Sequence, residues 1–306
     1  MRVAVIIAAR NLAAFLPDAL RSVLEQSHTA LTVILVDDGS EDGMAEAARD
    51  AFSDIRLHIL RQPGQGVARA RNAGARHPAA QGAEALLFLD GDDWLAPTAL
   101  ARLTAALTRH PNAAAIHAPF AYVAEAACPR APGRLDRRAV TGRRLLPRLI
   151  LGNLFANGGH MLIRASAWAR AGGFREDLRF AEDWEAWLRL ALQGPLLPLG
   201  GPPLLFVRRR QGSLMDGAAT RLAAYEPAFA AVADNTELAA RLGAARLAHL
   251  LHRSRRELFW TVGREMLRRG QSRKALPFLW RGLAGRPRPQ RIAILGKAWA
   301  QSLRQA

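Results

Sequence analysis

The sequence predicts an α/β protein: a mostly parallel sheet covered by helices, followed by a helical C-terminal appendage. Three observations carry this. Between Val3 and Val123, short apolar runs alternate with segments of helical spacing. The runs Leu31–Val36 and Leu86–Leu89 lead straight into carboxylates, which places acids at the carboxyl ends of buried strands, where open α/β sheets bind ligands. Beyond Gly217 the pattern is helical alone.

Taken in order, Val3–Ala8 reads as the first strand. Pro17–Gln26 reads as a helix with Leu20, Val23 and Leu24 on one face and Pro17 suited to its first turn. Leu31–Val36 is the second strand, Met44–Phe52 a helix and Ile55–Leu60 the third strand. Gly64-Gln65-Gly66 then opens a helix that runs to Arg76. Leu86–Leu89 is the fourth strand, Pro97–Arg109 a helix and Ala114–Val123 a single fifth strand. Ala124–Asp136 is Pro/Ala/Arg-rich and reads as a loop. Leu145–Leu151 is a short helix, His160–Arg164 a strand, Glu182–Leu192 a helix and Leu204–Arg208 a strand. The helical remainder is interrupted near Gly270 and at Gly285–Pro289. Within it, Gly263–Pro287 resembles one tetratricopeptide-type helical pair, with Gly270 at the turn and Ala275 and Leu276 inside. The boundaries that follow are 1–215 for the α/β domain (halves at about 1–123 and 137–215) and 216–306 for the helical region.

Charge is placed unevenly. The 306 residues carry a net +17, but Thr236–Ala306 holds 16 Lys/Arg against 3 acids, leaving the first 235 residues close to balanced. Such a basic helical region suits an anionic membrane surface as partner, the plain alternative being merely solvated surface. No nucleic-acid reading motif is present, so nucleic acid is not an expected partner. No apolar run approaches the roughly 18 residues of a membrane span. Met1–Ile7 is too short for a signal peptide and reads as strand. A single cysteine, Cys128, excludes an intrachain disulfide and fits a reducing cytoplasm. The expected location is cytoplasmic, with peripheral contact at the inner face of the membrane.

Asp90-Gly91-Asp92-Asp93 packs three carboxylates into four positions. If the backbone stays extended past Leu89, Asp90 and Asp92 point to one side. Two acids so close call for a hard cation, Mg²⁺ or Mn²⁺, completed by phosphate oxygens. The plainer reading is a solvated turn, with Asp93 capping the next helix.

Four further pieces accompany it: Ile6–Asn11, Val36-Asp37-Asp38-Gly39-Ser40, Gly66–Gly74 with Arg71 and Asn72, and Phe180–Arg189 with Glu182-Asp183-Trp184. In this order and spacing the set resembles glycosyltransferase family 2, enzymes of the Rossmann-like GT-A fold that use nucleotide-sugar donors. The likeness covers roughly Val3–Ser213. It implies an inverting, metal-dependent sugar transfer to a glycan or lipid-linked acceptor. By the same resemblance Asp92 ligates the metal, with Asp90 on metal or ribose. Asp38 accepts from the base while Asp37 braces its loop, and Arg71 pairs with diphosphate or base. Ala8, Arg10 and Gly91 also line the donor. Asp183 is the general base, with Glu182 supporting it or touching the acceptor; the plain reading of both acids is a favourable charge at a helix N-terminus.

Asn157-Gly158-Gly159-His160 resembles the acceptor-facing loop. There Gly158 and His160 meet the acceptor, or His160 is a packed, hydrogen-bonded histidine. Trp184 stacks on an acceptor sugar, while Trp187 is core. Val207–Ser213 resembles the basic segment that approaches the diphosphate, through Arg209 or Arg210. Asn72 and Gly74 read as structural and Arg69 as a surface charge.

The chain also departs from the family. Ala8 and Arg10 stand where proline and an aromatic are common, which leaves guanosine or thymidine donors open beside uridine. The Gln-x-x-Arg-Trp segment of processive synthases is absent, so one sugar is added at a time, as in the building of surface polysaccharides. Nucleotidyltransferases are disfavoured because no glycine-rich loop follows the first strand. The competing class is a catalytically weak GT-A-like scaffold that binds partners or anionic membrane through its basic helices.

Overall fold

The computed structural model describes residues 1–126, 134–136 (backbone only), 145–210, 222–283 and 289–303. The chain divides into two compact units: Met1–Leu146 with Leu154–Arg210, and Pro147–Asn153 with Gln211–Ala306. Cys128, Gln211–Ser213 and most of the expected break at Gly285–Pro289 lie outside the described residues.

The first unit is built on β1 (Val3–Ala9), β2 (Leu31–Asp38), β3 (Leu57–Gln62), β4 (Ala85–Asp90), β5 (Trp94–Leu95), β6 (Ala115–His117), β7 (Phe120–Ala124), β8 (Arg134–Asp136), β9 (Met161–Arg164), β10 (Leu196–Pro198) and β11 (Leu205–Arg209). Seven of them form the main sheet in the order β10-β6-β9-β4-β1-β2-β3. All pairs are parallel except those of β9, which runs antiparallel to both β4 and β6. Both faces of β1 are covered, and all seven of its residues are buried, which is why its sequence is apolar without alternation.

Helices α1 (Leu16–Leu24), α2 (Met44–Ala51), α3 (Val67–Arg76) and α4 (Ala99–Arg109) follow the first strands. In α1 the buried residues Leu16, Ala19, Leu20 and Val23 recur at helical spacing, and Pro17 sits in the first turn. Gly74 brings α3 close to the sheet, since a Cβ there would lie 2.5 Å from Ile6 Cγ2. Helix α6 (Ala165–Ala171) precedes α7 (Glu182–Gln193), which starts beside the carboxyl ends of the strands, whereas α5 (Leu145–Leu151) falls mostly in the second unit. The large core cluster of this unit joins Val5, Ile7, Leu20, Leu35, Leu87, Leu103 and Leu205.

The structure corrects several expectations. Ala114–Val123 is two strands, not one. Ala118 N donates to His160 O at 2.9 Å in continuation of the β6–β9 register, and Pro119 next to it has no N–H to donate, so the chain leaves the main sheet there and enters a second one. That second sheet has the order β5-β11-β7-β8. Its member β8, paired antiparallel with β7, lies where a loop was expected. Helix α6 and the two-residue β5 were likewise not foreseen, and β2 extends through both of its aspartates.

The second unit is helical, with α8 (Glu226–Ala233), α9 (Thr236–Leu242), α10 (Ala244–Arg268), α11 (Ser272–Leu283) and α12 (Pro289–Leu303). Helices α10 and α11 turn at Gly270 (φ +74°) and pack backbone-close. A Cβ on Gly263 would meet Leu279 N at 2.9 Å, and one on Gly282 would meet Trp260 N at 2.7 Å. Ala275, Leu279, Val262 and Ala298 are fully buried in their shared core, whereas Leu276 is half-buried. Additional breaks occur at Asp234–Asn235, where Asn235 Oδ1 caps α9, and at Gly243.

Candidate active site

The carboxyl ends of β1, β2 and β4 lie side by side, with Ala8 opposite both Val36 and Asp90, and Ala9 opposite Asp37. The buried carboxylate of Asp37 braces its turn, accepting from Ser40 N at 2.8 Å, with Arg61 Nε at 3.4 Å. Gly39 makes that turn at φ +76°, and a Cβ there would lie 2.6 Å from Gly64 N. Asp38 accepts from Gln62 Nε2 (2.8 Å) and Gln65 N (2.7 Å) on Oδ1, and from Gly66 N (2.8 Å) on Oδ2. It therefore organises the loop into α3 as well as standing where a base was expected. Beside it the exposed Arg10 lies against Gly64, where a Cβ would come within 2.8 Å of Nη1. An open groove of about 520 Å³ at the ends of β2 and β3 is lined by Gly39, Ser40, Glu41, Arg61, Gln62 and Pro63.

After β4 the chain turns rather than staying extended, as Asp93 N donates to Asp90 O at 3.1 Å. The turn passes close to β1, since a Cβ on Gly91 would lie 2.7 Å from Ala9 Cβ. Asp90 Oδ1 accepts from Arg71 Nη2 at 2.7 Å and Oδ2 from Asn157 Nδ2 at 3.0 Å. Asp92 Oδ2 accepts from Arg210 Nε at 2.5 Å. Burial first, and the neighbouring Asp90 charge second, push the Asp92 carboxyl up, while Arg210 counteracts them.

Asp93 does not cap a helix. It is buried, with Oδ1 accepting from Arg208 N at 2.9 Å and Oδ2 from Asn157 Nδ2 at 2.6 Å, so it fastens β11 to this turn. Desolvation, then the Asp92 and Asp90 charges, raise its pKa well above the carboxylate range.

Arg71 is buried and reaches across the site. Besides Asp90, its Nη1 donates to Glu182 Oε1 at 3.0 Å. Burial works against its charge, but Asp90 and then Glu182 outweigh burial and raise its pKa. Glu182 itself is pushed up to about 7 by burial and then by Asp183, against the pull of Arg71. These two acids open α7 directly after Ala181, a non-glycine residue at φ +57°. Such a backbone costs about 1–2 kcal/mol and recurs where function fixes geometry. Asp183 Oδ1 accepts from Trp184 N at 2.7 Å, and its residue is only partly buried.

Of the expected acceptor residues, Trp184 is covered and His160 takes its packed, hydrogen-bonded alternative. Trp184 is 5% exposed, so its face is packed rather than presented. His160 is buried, with Nδ1 2.7 Å from Ala118 O and its ring against Phe120, Phe155 and His117. His117, lacking a partner at Nε2, is lowered to about 3 by burial and then by His160. Gly158 lets the loop touch β4, since a Cβ would lie 2.8 Å from Phe88 Cβ. Trp187 is core, packed with Phe155, Trp168 and Phe174. Asn72 pairs with the backbone of Phe174 through both N–H and C=O, and Arg69 with Glu176 at 3.2 Å.

Of the late basic segment, Arg210 meets Asp92, whereas Arg209 is exposed over the Tyr122 ring at 4.1 Å. Sequence reasoning missed Arg208. Buried between Phe15 and Trp94, it donates to Asp18 Oδ2 (2.7 Å), Asp92 O (3.0 Å) and Glu125 O (2.6 Å). Asn157, which bridges Asp90 and Asp93, was also missed, though it opens the Asn-Gly-Gly-His loop singled out from the sequence.

Among the described residues no three His, Cys, Asp or Glu side chains gather as a closed metal cage. The two-carboxylate set of Asp90 and Asp92 nevertheless fits a hard cation. Both offer oxygens, and the Asp90 charge pushes the Asp92 carboxyl up after burial does, against the pull of Arg210.

Fold and site define an α/β protein of the GT-A class. The chain belongs to glycosyl transferase family 2, whose sequence model matches residues 4–170. It is 30% identical over 205 residues to the succinoglycan biosynthesis protein ExoU of Rhizobium meliloti, a match covering 63% of this chain and 57% of that one. It is 28% identical over 200 residues to an uncharacterized glycosyltransferase of Haemophilus influenzae, covering 62% of each. With the uncharacterized glycosyltransferase EpsJ of Bacillus subtilis it shares 35% identity over 103 residues, 33% of this chain and 29% of that one. The chain thus matches less than two thirds of the length of these relatives.

Its fold is also that of S. aureus TarS 1–349 in complex with UDP-GlcNAc, at TM-score 0.67 and 18% identity over 98% of this chain and 88% of that one. The mannosyltransferase PcManGT from Pyrobaculum calidifontis, in complex with GDP-Man and Mn²⁺, matches at TM-score 0.58 and 21% identity over 99% of this chain and 80% of that one.

Proposed function

We propose that the chain transfers a sugar from a nucleotide-diphosphate donor to a glycan or lipid-linked acceptor, one sugar at a time and with inversion. The product belongs to cell-surface polysaccharide, in line with the succinoglycan role of ExoU. The observation that carries the reading is Arg71, whose one guanidinium joins Asp90 at the end of β4 to Glu182 at the start of α7. Acids of the expected donor side and the expected base side are thereby held on one guanidinium.

Asp183 is the general base. It takes the proton of the acceptor hydroxyl as that oxygen bonds to the sugar's anomeric carbon and the carbon–oxygen bond to the diphosphate breaks. Glu182 and Arg71 hold Asp183's helix in position. Asp92 and Asp90 would hold Mg²⁺ or Mn²⁺, which supplies charge stabilisation at the leaving diphosphate. Arg210, once released from Asp92, and Arg209, once turned from Tyr122, would meet the phosphates, and Asp38, Arg10 and Ala8 would surround the base. The bound nucleotides of the structural neighbours, UDP-GlcNAc and GDP-Man, define the donors to try first.

The test is thermal stability against UDP, GDP and dTDP with and without Mn²⁺, for wild type and Asp92→Ala. Saturation at a hundredfold over Kd contributes about 2.7 kcal/mol, an easily read shift. A metal-dependent shift with one nucleotide, lost in Asp92→Ala, supports the donor site and names the base. No shift with any nucleotide moves the reading to a scaffold of this fold.

A further inference from the structure

Among the described residues, five large apolar side chains are strongly exposed, and four of them lie on the last two helices: Trp280 (68%), Ile292 (51%), Trp299 (62%) and Leu303 (62%). They are not scattered. On α12, Ile292, Gly296, Trp299 and Leu303 follow one another at spacings of four, three and four, which is a single stripe along the helix. The opposite side of α12 is already occupied, with Ala298 fully buried against the core of Trp260 and Leu279. On α11 the exposed side carries Arg273, Lys274, Pro277, Trp280 and Arg281 at the same kind of spacing, while Ala275 and Leu279 face inward. Inner packing therefore explains neither tryptophan.

The charge of this segment selects the occupant. From Ser272 to Ala306 there are eight Lys/Arg and no Asp or Glu. A second copy of the same surface would bring cations against cations with no acid to pair them, so self-association through this face is opposed. An anionic lipid surface answers both halves of the pattern. Headgroup phosphates meet the cations, each contributing about a fivefold gain near the surface. The acyl boundary takes the tryptophan, isoleucine and leucine side chains, tryptophan being suited to that wet–dry border. No helix of the described residues is long and apolar enough to cross a membrane. A 15-residue helix with one apolar stripe lies in the plane of the interface instead.

We propose that the outward faces of α11 and α12 dock on an anionic bilayer, with Trp280, Ile292, Trp299 and Leu303 as the inserting groups and Arg273, Lys274, Arg281 and Lys297 as the headgroup contacts. This stands independently of the sugar-transfer reading.

The experiment is co-sedimentation of the full chain with vesicles of phosphatidylcholine alone or mixed with phosphatidylglycerol. The proposal expects binding to the anionic vesicles only, reversed by salt. Joint Trp280→Ala and Trp299→Ala substitution should weaken binding on the order of tenfold or more. Joint Arg273→Gln and Lys274→Gln should weaken it about twenty-five-fold. Trp280→Phe with Trp299→Phe should keep binding while removing fluorescence quenching by brominated lipid, which locates the insertion. Unchanged melting of the variants separates these losses from misfolding. Failure of the wild type to bind anionic vesicles overturns the proposal, as does binding indifferent to both tryptophans. It is equally overturned by self-association that Trp299→Ala abolishes without any vesicle binding, or by duplex DNA held in preference to vesicles.

Discussion

Arg71 and Glu182, 111 positions apart in the chain, meet at 3.0 Å with both side chains buried, and the same guanidinium holds Asp90 at 2.7 Å. The cation is thus the shared neighbour of two carboxylates from separate elements. Removing it leaves the buried Glu182 without its partner and the partly exposed Asp90 with Asn157 alone, so Arg71→Ala should cost about 3 kcal/mol in urea unfolding. Arg71→Lys keeps the charge but not the fork that spans two acids, and it should recover only part of the loss. Equal stability of Arg71→Ala and wild type would mean that the two acids are not held through this residue.

Glu182 gives the fold a definite pH dependence. Its pKa is raised from 4.5 to about 7 in the folded state, chiefly by burial. A carboxyl raised on folding binds its proton more tightly in the folded chain than in the unfolded one. The associated stability is therefore complete below about pH 4.5 and is lost as pH rises through 7. Glu182→Gln, neutral throughout, should flatten this fall. Denaturant midpoints taken across the window for both proteins check it, and parallel curves would count against a raised Glu182.

The elements best legible in the sequence are those buried on both faces. β1, β2 and β4 have to be apolar throughout, so their runs stand out, and the acids that end them mark the functional edge. What stayed hidden depends on partners distant in sequence. Nothing in Met161–Arg164 says that this strand runs antiparallel between β4 and β6. The apolar run from Ala114 to Val123 conceals a change of sheet at Pro119. Arg208 eluded strand periodicity for a physical reason. Burial along β11 does not alternate, because Leu205 and Arg208 are buried while Phe206 and Val207 are partly covered. Asp38 and Arg71 stood out in the sequence as candidates, but their protein partners, Gly66 N and Glu182, are visible only once the loop and helix are folded.

The turn after β4 depends on having no side chain at Gly91. A Cβ there would stand 2.7 Å from Ala9 Cβ and 3.1 Å from Leu12 Cδ1, both on buried residues with no room to retreat. Gly91→Ala should destabilise by about 1–3 kcal/mol through overpacking. It should also displace Asp92, so nucleotide affinity should fall more than in an equally destabilised variant of α4. Stability and nucleotide shifts measured together distinguish the two effects.

The three consecutive arginines at the end of β11 should separate cleanly. Arg208 is 8% exposed and donates to Asp18, Asp92 O and Glu125 O, so Arg208→Ala should cost several kcal/mol, on the order of 3–5, by stranding those groups. Arg209 faces outward over Tyr122, and its removal should stay within about 0.5 kcal/mol. Chemical denaturation of the two variants side by side decides the point. A comparable loss at both positions would contradict the packing described for β11.

In the proposed reaction the proton transfer rests on Asp183. Asp183→Asn retains an oxygen able to accept from Trp184 N, the contact made at 2.7 Å in the folded chain, so the start of α7 should hold its shape. What it loses is a carboxylate able to take the acceptor's proton. General-base removal costs typically 10²–10⁴ in rate, and the whole loss should fall on kcat, with the thermal shift on nucleotide binding unchanged. Glu182→Gln should show a smaller fall, because that group acts through Arg71 and the position of the helix. A much larger fall in Asp183→Asn than in Glu182→Gln, with the donor still bound, places proton abstraction at this carboxylate. Transfer that survives the substitution at near wild-type kcat would move the base to another acid, and Glu182, its buried neighbour, would be the next to test.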